Sequence, residues 1–340
     1  MDTEQAMRRA VVLSRAVLGA TSPNPPVGAV VLDADGQVVG EGATGPAGQA
    51  HAEVLALARA GDRARGGTAV VTLEPCRHTG RTGPCTSALL AAGISRVVVA
   101  CADPTAAAGG GAALLRAAGV EVLTGVLERE VARGPLEAWL GAQKLGRPFV
   151  TWKDAATLDG RSAAVDGTSK WITSDEARAD VARLRSEVDA VVVGIGTVLA
   201  DDPALTVRQG GMLTTRQPLR VVLDSDGRTP AGAKVLDDQA ETLVLTTAAA
   251  ARHDLPAVLA ILADRGVVSV LLEGGPTLAA AFVRADLVDR VVGYIAPALL
   301  GDGPHALGPI GASTISAAVR LRLDEVSRVG DDVRLTLRRS

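Results

Sequence analysis

The sequence predicts an α/β protein with two domains, and three observations lead to this class. Short runs of β-branched residues alternate with segments whose apolar residues recur at helical spacing, which is typical of an α/β sandwich. The chain has 340 residues, of which 47% are apolar, so it is too long for one ordinary core and sufficient for two. Turn formers and two cations occupy Gly141–Pro148 between apolar runs, which suits a linker. We therefore expect domains at residues 1–145 and 146–340.

In the first half, four short strands are predicted from β-branched runs, and segments with helical spacing lie between them. The predicted elements are, in order, the helix Thr3–Leu18, the strand Val27–Leu32, a helix that starts near His51, the strand Thr68–Leu73, the helix Thr86–Ala92, the strand Arg96–Cys101, the helix Gly110–Ala118 and the strand Val120–Leu123.

The second half continues the alternation and then ends in two antiparallel strands. Ser174, followed by Asp175 and Glu176, predicts a helix N-cap with an acidic first turn. The predicted elements are the strand Phe149–Lys153, the helix Ser174–Ser186, the strands Ala190–Val193, Leu219–Leu223 and Thr242–Leu245, the helix Leu255–Arg265, the strand Val267–Leu272, the helix Thr277–Val283, the strand Arg290–Ile295 and the final strands Arg320–Val329 and Asp332–Leu337.

Composition and charge exclude several classes of protein. A formal net charge of -3 argues against a large nucleic-acid footprint, and 2% aromatic residues argue against a base-stacking surface. The longest charge-free runs, Ala16–Leu32 and Gly303–Val319, have 17 residues each and contain Pro and Gly, so neither predicts a membrane span. The N-terminus lacks the pattern of a secretory signal. We expect a cytoplasmic protein that acts on a small molecule.

One imidazole and two thiols have the spacing of a catalytic zinc site. His51 begins a predicted helix, Cys76 follows a predicted strand, and Cys85 precedes another helix. Three protein ligands leave one corner of a tetrahedral Zn²⁺ open for a water molecule, whose pKa the metal lowers. Glu53, two residues from His51, is suited to take the proton of that water and return it to a leaving nitrogen. His-x-Glu is one element of the nucleobase deaminase signature, although the two cysteines stand farther apart here.

Each of these residues, taken alone, also suits a structural role, since buried cysteines are common in cores. The joint pattern favours the metal, whereas Cys101, inside a predicted strand, is expected in the core. Asn24 lies in a proline-rich loop and is either a turn residue or an amide that reads a pyrimidine edge. His78 is either a solvated loop residue or a substrate contact, and the adjacent metal site favours the contact.

Two segments of the second half have features of nucleotide sites, and a third places Lys153, one of four lysines, at a predicted strand end. Val193–Thr197 contains only two of the three glycines of a dinucleotide-binding fingerprint and is a weak signal. Leu272–Thr277 combines a strand, two glycines and a helix N-terminus, where backbone N–H groups bind phosphate. An ordinary turn between a strand and a helix is the alternative.

These motifs resemble those of the bifunctional deaminase/reductases of riboflavin biosynthesis, and the resemblance covers nearly the whole chain. In the first half it rests on Asn24-Pro25 with Val27-Gly28, on His51-Ala52-Glu53, and on Pro75-Cys76, His78, Gly80-Arg81-Thr82 and Pro84-Cys85. The long cysteine spacing separates this family from the related transfer-RNA adenosine and cytidine deaminases. The resemblance implies an N-terminal cytidine-deaminase-like α/β/α sandwich in which His51, Cys76 and Cys85 bind zinc and Glu53 is the proton shuttle.

The second half resembles the reductase of the same family, a dihydrofolate-reductase-like α/β domain that uses NADPH. The implied cofactor contacts are Ala155, Trp171, Thr197, Asp201, Gly275, Pro276, Thr277, Leu278, Ala279, Ala280 and Ala281. The implied substrate contacts are Ser169, Arg185, Leu205, Arg208 and Glu273, and the two guanidinium groups suit a ribose phosphate. Lys153 is a candidate for the ring-opening or protonation step. The family also suggests a homo-oligomer.

We therefore expect hydrolytic deamination of a diaminopyrimidinone ribosylamine phosphate, followed by reduction of its ribosyl chain. The chain departs from the family pattern at Thr44, where a histidine is frequent, at Gly83, where a proline is usual, and at Thr105-Ala106, where Asn-Pro is commoner. These departures concern substrate contacts of the deaminase and leave the zinc ligands intact. The alternatives are a zinc-stabilised binding module without catalysis and a nucleic-acid editor.

Overall fold

The computed structural model describes residues 1–78, 83–246 and 254–339 of the chain. It divides into two compact units, Met1–Gly146 and Arg147–Ser340. Each unit is a mixed α/β structure, which confirms the predicted α/β class. Within the described residues, no helix combines the length and the apolar character that crossing a membrane requires.

The first unit is built on one five-stranded sheet. Its strands are β1 (Gly28–Leu32), β2 (Val38–Ala43), β3 (Thr68–Leu73), β4 (Arg96–Cys101) and β5 (Glu121–Thr124), in the spatial order β2-β1-β3-β4-β5. β1 pairs antiparallel with β2 and β3, whereas β3, β4 and β5 run parallel. The helices are α1 (Thr3–Ala16), α2 (Ala52–Ala60), α3 (Cys85–Ala91), α4 (Gly111–Ala117), α5 (Glu128–Ala132) and α6 (Glu137–Leu145). Valines of the central strands, such as Val30, Val70 and Val98, are fully buried in the core.

The strand β2 is not predicted from the sequence, because Gly40 and Gly42 interrupt its apolar pattern. A Cβ atom on Gly40 would collide with the backbone oxygen of Ala56, and one on Gly42 with that of Ala52. Both glycines therefore let the backbone of α2 lie directly against the sheet. This close approach fixes the helix whose first turn carries Glu53.

The second unit is built on an eight-stranded sheet. Its strands are β6 (Phe149–Thr157), β7 (Ala190–Gly194), β10 (Leu219–Leu223), β11 (Thr242–Leu245), β12 (Ser269–Leu272), β13 (Arg290–Ala296), β14 (Leu321–Val329) and β15 (Asp332–Arg339), in the spatial order β11-β10-β7-β12-β6-β13-β15-β14. The first six strands in this order run parallel, and the last two are antiparallel. A separate hairpin joins β8 (Arg208–Gln209) to β9 (Met212–Leu213). The helices are α7 (Asp175–Ser186), α8 (Ile195–Asp201), α9 (Leu255–Asp264) and α10 (Pro276–Arg284).

Two details of the sequence prediction are wrong, and several short elements, among them α5, α8 and the hairpin of β8 and β9, are not predicted. The predicted linker Gly141–Pro148 is helical as far as Leu145, because α6 ends only where Gly146 adopts a left-handed conformation. Lys153 lies in the middle of β6 and not at its end, since pairing with β13 continues to Thr157. The short helix α8 is not predicted, because seven residues after a glycine turn give little periodicity. Ser174 caps α7 as predicted, accepting a hydrogen bond from the backbone of Ala177.

Candidate active sites

The three predicted zinc ligands converge in the first unit. His51 is the N-cap residue of α2, Cys76 follows β3, and Cys85 is the first residue of α3. The His51 Nδ1 atom lies 3.3 Å from the Cys85 Sγ atom and 3.6 Å from the Cys76 Sγ atom. One ligand atom from each residue lies within 4.8 Å of the others. One imidazole and two sulfur atoms at this separation fit a Zn²⁺ ion.

Local hydrogen bonds hold the two sulfur atoms in place and shift the pKa values of their thiols. The backbone N–H of Cys85 donates to Cys76 Sγ at 3.4 Å, and the Thr86 hydroxyl donates to the Cys76 carbonyl at 3.2 Å. A hydrogen bond from the Cys85 thiol, supported by His51, lowers the pKa of Cys76 to about 4. The same hydrogen bond, together with burial, raises the pKa of Cys85. The pair therefore holds one proton that a bound metal would displace.

Glu53 lies in the first turn of α2 with 5% of its surface exposed. Burial raises the pKa of its carboxyl and outweighs the opposing effects of its own backbone N–H and of His51. The cause is the loss of hydration of the charged form. A carboxyl group with a raised pKa, beside three metal-ligating atoms, is suited to accept and return a proton near neutral pH.

Asn24 and His78 are not joined to this cluster by a described contact. The Asn24 backbone closes a turn, donating to the Thr21 carbonyl at 3.0 Å while its carbonyl accepts from the Thr21 hydroxyl at 2.9 Å. The structure thus shows the turn that was the alternative for Asn24. His78 is exposed, two residues after Cys76. Gly80, Arg81 and Thr82 of the sequence motif lie outside the described residues.

The departures from the family pattern have local structural roles. Thr44 is buried, and its hydroxyl accepts from the Val27 backbone N–H at 3.1 Å. Asp103 accepts from the Thr105 backbone N–H at 2.8 Å and from its hydroxyl at 2.6 Å. Thr105 therefore closes a turn with Asp103, whereas Gly83 is exposed.

Sequence reasoning does not identify Glu74, which lies two residues before Cys76. Its buried carboxylate accepts from the backbone N–H of Ala112 at 2.8 Å and from that of Asp103 at 3.1 Å. It thereby ties the end of β3 to α4 and to the loop after β4. The only sequence signal for Glu74 is its place in Glu74-Pro75-Cys76, beside a predicted metal ligand. Its hydrogen-bond partners are distant in the sequence.

The second unit contains a cavity of about 770 Å³ at the carboxyl ends of its parallel strands. This volume suits a nucleotide-sized ligand. Of the predicted cofactor and substrate contacts, the cavity is lined by Ser169, Thr197, Asp201, Gly275, Pro276, Thr277, Leu278 and Ala281. Ala279 and Ala280 instead face the core, because they lie on the buried side of α10. Ala155 and Trp171 are not among the lining residues, and Trp171 is 68% exposed beneath the Arg178 guanidinium, 4.3 Å from its ring centre.

Lys153, Arg185 and Glu273 form a charged group next to the core of this unit. Arg185 donates from Nε and Nη2 to the two carboxylate oxygens of Glu273. Burial raises the pKa of Glu273, but the Arg185 guanidinium more than compensates and holds it below its usual value. Burial also lowers the pKa of Lys153 against the opposing effect of Glu273. The Arg185 side chain is therefore already paired, and it does not offer its guanidinium group to a phosphate in this arrangement.

The remaining predicted substrate contacts are differently placed. Leu205 is buried in the core with a backbone φ of 53°, and it is not among the residues that line the cavity. Arg208 is exposed and donates to Gln239 Oε1 at 2.7 Å. Arg220, which sequence reasoning does not identify, is fully buried and donates to the carbonyl of Ala204 at 3.2 Å and to Asp237 Oδ1 at 2.7 Å. It anchors the segment that leads to Leu205.

Two family models match the chain. Residues 148–335 match the RibD C-terminal domain, and residues 1–101 match the cytidine and deoxycytidylate deaminase zinc-binding region.

Similar proteins extend over the whole chain. The riboflavin biosynthesis protein RibD of Mycobacterium tuberculosis strain H37Rv is 51% identical over 335 residues, covering 98% of this chain and 96% of its own. That of Escherichia coli strain K12 is 39% identical and covers 99% of both chains. The solved structure of Acinetobacter baumannii RibD superposes with a TM-score of 0.88 at 38% identity, over 99% of both chains. A diaminohydroxyphosphoribosylaminopyrimidine deaminase/5-amino-6-(5-phosphoribosylamino)uracil reductase from Thermotoga maritima gives a TM-score of 0.91 at 36% identity, also over 99% of both chains.

Proposed function

The chain belongs to the RibD family of riboflavin biosynthesis proteins, and from this premise we propose how its residues perform the two reactions. The protein is a zinc-dependent deaminase and an NADPH-dependent reductase. Its first reaction is hydrolytic deamination of 2,5-diamino-6-ribosylamino-4(3H)-pyrimidinone 5′-phosphate. Its second is reduction of the ribosyl side chain of 5-amino-6-(5-phosphoribosylamino)uracil to a ribityl chain. We assign the deaminase to residues 1–145 and the reductase to residues 146–340.

The observation that carries the deaminase assignment is the cluster of His51, Cys76 and Cys85 beside the buried Glu53. These three side chains would hold the zinc ion. When bound, the metal supplies a water molecule of lowered pKa. Glu53 accepts the proton from that water and delivers it to the leaving nitrogen, and its raised pKa makes both transfers accessible near neutral pH.

Substrate orientation in the deaminase is assigned to Asn24 and His78. The Asn24 backbone is held in a turn with Thr21, and its side-chain amide carries donors and an acceptor that suit the edge of a pyrimidine ring. His78 follows Cys76 by two residues and is accessible from solvent. We propose that both contact a substrate that approaches the zinc ligands.

In the reductase, the cavity beside α10 would hold NADPH, which supplies a hydride when bound. Gly275, Pro276, Thr277 and Leu278 contribute the N-terminal turn of α10, where backbone N–H groups suit a pyrophosphate. We assign Thr197, Asp201 and Ala281 to the same cofactor, together with Ala155 and Trp171 on the basis of family resemblance. Ala279 and Ala280 then act by packing.

Lys153 is the proposed proton donor for opening of the sugar. Its partly buried ammonium has a lowered pKa, so it releases a proton more readily than an ordinary lysine. Glu273 and its partner Arg185 lie close enough to Lys153 to influence that pKa. Ser169, Arg208 and the backbone of Leu205 are the remaining proposed substrate contacts, and Arg208 is the accessible cation for the ribose phosphate.

Separate sites make a sharp test possible. Glu53→Gln should abolish ammonia release from the diaminopyrimidinone substrate, because the amide cannot shuttle the proton. The same variant should oxidise NADPH normally when supplied with the deaminated intermediate. Glu4→Gln, a change at an exposed residue of α1, is the matched control and should retain both activities. Loss of both activities in Glu53→Gln would contradict separate sites.

We also propose that the protein works in the cytoplasm, on a small-molecule substrate, and as a homo-oligomer. The outermost strand of the eight-stranded sheet, β14, exposes Leu323 and Val326, which supports association through the reductase unit. Light scattering would determine the oligomeric state. Stoichiometric zinc without ammonia release would instead favour a binding module, and retention on RNA at physiological salt would favour a nucleic-acid editor.

A further inference from the structure

The loop that carries Asn24 lies at the end of the five-stranded sheet from which Cys76 also emerges. β1 pairs antiparallel with β3, so the start of β1 lies beside the end of β3. The backbone N–H of Gly28 donates to the Thr72 hydroxyl at 3.0 Å, which ties the two strands together at this end. The loop 21–27 before β1 and the segment after β3 that leads to Cys76 therefore leave the sheet at the same end.

This loop has few hydrogen-bond donors of its own. Proline occupies positions 23, 25 and 26, and a proline has no backbone N–H and a fixed φ. The backbone of Asn24 donates to the Thr21 carbonyl and closes one turn. Two carbonyl groups of the loop instead accept hydrogen bonds from side chains of distant helices.

The two donors hold the loop on both sides of Asn24. Trp139 of α6 is 6% exposed, and its indole N–H donates to the Pro23 carbonyl at 3.2 Å. Ser14 of α1 is fully buried, and its hydroxyl donates to the Pro26 carbonyl. A serine within a helix often bonds to a carbonyl of the preceding turn, whereas Ser14 bonds to the loop. Asn24 and one proline are the only residues between the two held carbonyls.

We propose that Trp139 and Ser14 are positioning residues of the deaminase, which fix the backbone around Asn24 and so orient its side-chain amide for the pyrimidine ring of the substrate. The proposal rests on the substrate contact proposed above for Asn24. Because Glu53 and the zinc ligands belong to other segments, loss of either hydrogen bond should weaken substrate binding and spare the chemical step.

The first test separates KM from kcat for ammonia release by the zinc-loaded full chain. Trp139→Phe keeps an aromatic ring and removes the N–H donor, and Ser14→Ala removes the hydroxyl. Each should raise KM for the diaminopyrimidinone substrate about three- to tenfold, the effect of one lost hydrogen bond, and change kcat by less than about twofold. Trp152→Phe is the matched control, because Trp152 is a buried tryptophan of β6 in the second unit, and it should leave this KM unchanged.

The second test asks whether Trp139 acts through Asn24. Asn24→Ala should raise KM, and adding Trp139→Phe should then raise it no further, because no amide is left to orient. If Asn24→Ala has a normal KM, the substrate contact of Asn24 is contradicted and the positioning roles fall with it. If Asn24→Ala raises KM but Trp139→Phe raises it by the same factor with or without Asn24, the positioning roles alone are overturned.

A third readout needs no substrate. Asn24 is the only asparagine of the chain, so labelling with ¹⁵N-asparagine gives a single side-chain amide signal in an NMR spectrum. This signal should shift or broaden in Trp139→Phe and in Ser14→Ala, and it should be unchanged in Trp152→Phe. If Trp139→Phe does not fold, Ser14→Ala decides the question. An Asn24 signal like that of the wild type in Ser14→Ala, together with an unchanged KM, would overturn the proposal.

Discussion

Arg185 and Glu273 form a bidentate ion pair, in which Arg185 Nε donates to Glu273 Oε1 at 2.6 Å and Arg185 Nη2 donates to Glu273 Oε2 at 2.8 Å. The Glu273 side chain is only 8% exposed. A guanidinium held in this way is not a ready phosphate ligand, although its planar group suits one in principle. The pair instead fixes a buried negative charge close to Lys153.

A double-mutant cycle tests whether this pair stabilises the unit. Arg185→Met leaves a buried carboxylate without its partner and should lower the local free energy of unfolding by about 3–5 kcal/mol. Glu273→Leu should act similarly, while the double variant should recover a large part of the loss because no buried charge remains. Hydrogen exchange of amides in α7 and β12 measures these free energies. Strictly additive losses would show that the pair is not coupled.

The stability of β6 should depend on pH through Asp154. Burial raises the pKa of this carboxyl to about 6, above the value of about 3.9 expected in the unfolded chain. The folded state therefore binds the proton more tightly, so its stability is greatest below pH 4 and falls as the pH rises to 6. Asp154→Asn should remove this decline and stabilise the unit at pH 7 by about 1–3 kcal/mol.

Asp159 provides a control of opposite sign. Hydrogen bonds from the Thr157 hydroxyl and from the backbone N–H of Gly301 lower the pKa of Asp159 to about 2. Its contribution is present above about pH 4 and is lost as the pH falls to 2, so Asp159→Asn should be less stable at neutral pH. Hydrogen exchange of the amides in β6 between pH 4 and 7 measures the dependence of stability on pH. If the stability of Asp154→Asn declines with pH as steeply as that of the wild type, the role of Asp154 is contradicted.

Glu74 should position the zinc ligands without contacting the metal. Glu74→Gln replaces a carboxylate oxygen by an amide N–H that faces a backbone donor, which should loosen the segment leading to Cys76. We expect zinc affinity to fall about 10-fold, measured by competition with a chromogenic chelator, with a parallel loss of ammonia release. NADPH oxidation on the deaminated intermediate should be unchanged.

A matched carboxylate in the same unit controls for general destabilisation. Asp33 also accepts from two backbone N–H groups, those of Asp35 and Gln37, but it lies at the turn between β1 and β2. Asp33→Asn should therefore retain the wild-type affinity for zinc. If Glu74→Gln and Asp33→Asn weaken zinc binding equally, Glu74 has no specific positioning role.

Local signals in the sequence account for most of the fold. Strands rich in valine, such as β4 and β7, are recognisable because both faces are buried and the apolar run is continuous. The strand β2 escapes prediction because its glycines serve helix packing, which is a tertiary requirement. Its partner α2 gives no local sign of that contact.

The same distinction applies to the sites. His51, Glu53, Cys76 and Cys85 belong to rare residue types at recognisable spacings, so sequence patterns identify them. Glu74 and Arg220 are buried and form hydrogen bonds with residues that are distant in the sequence. The structure therefore identifies these two residues, whereas the sequence pattern does not. The pairing of Arg185 with Glu273 is likewise a consequence of the fold.

One chain performs deamination and then reduction. The most direct measurement follows ammonia release and NADPH absorbance together, starting from the diaminopyrimidinone ribosylamine phosphate with zinc-loaded protein. We expect equal amounts of ammonia released and NADPH consumed, with ammonia appearing first. NADPH consumption without ammonia, or no consumption even on the deaminated intermediate, would contradict it.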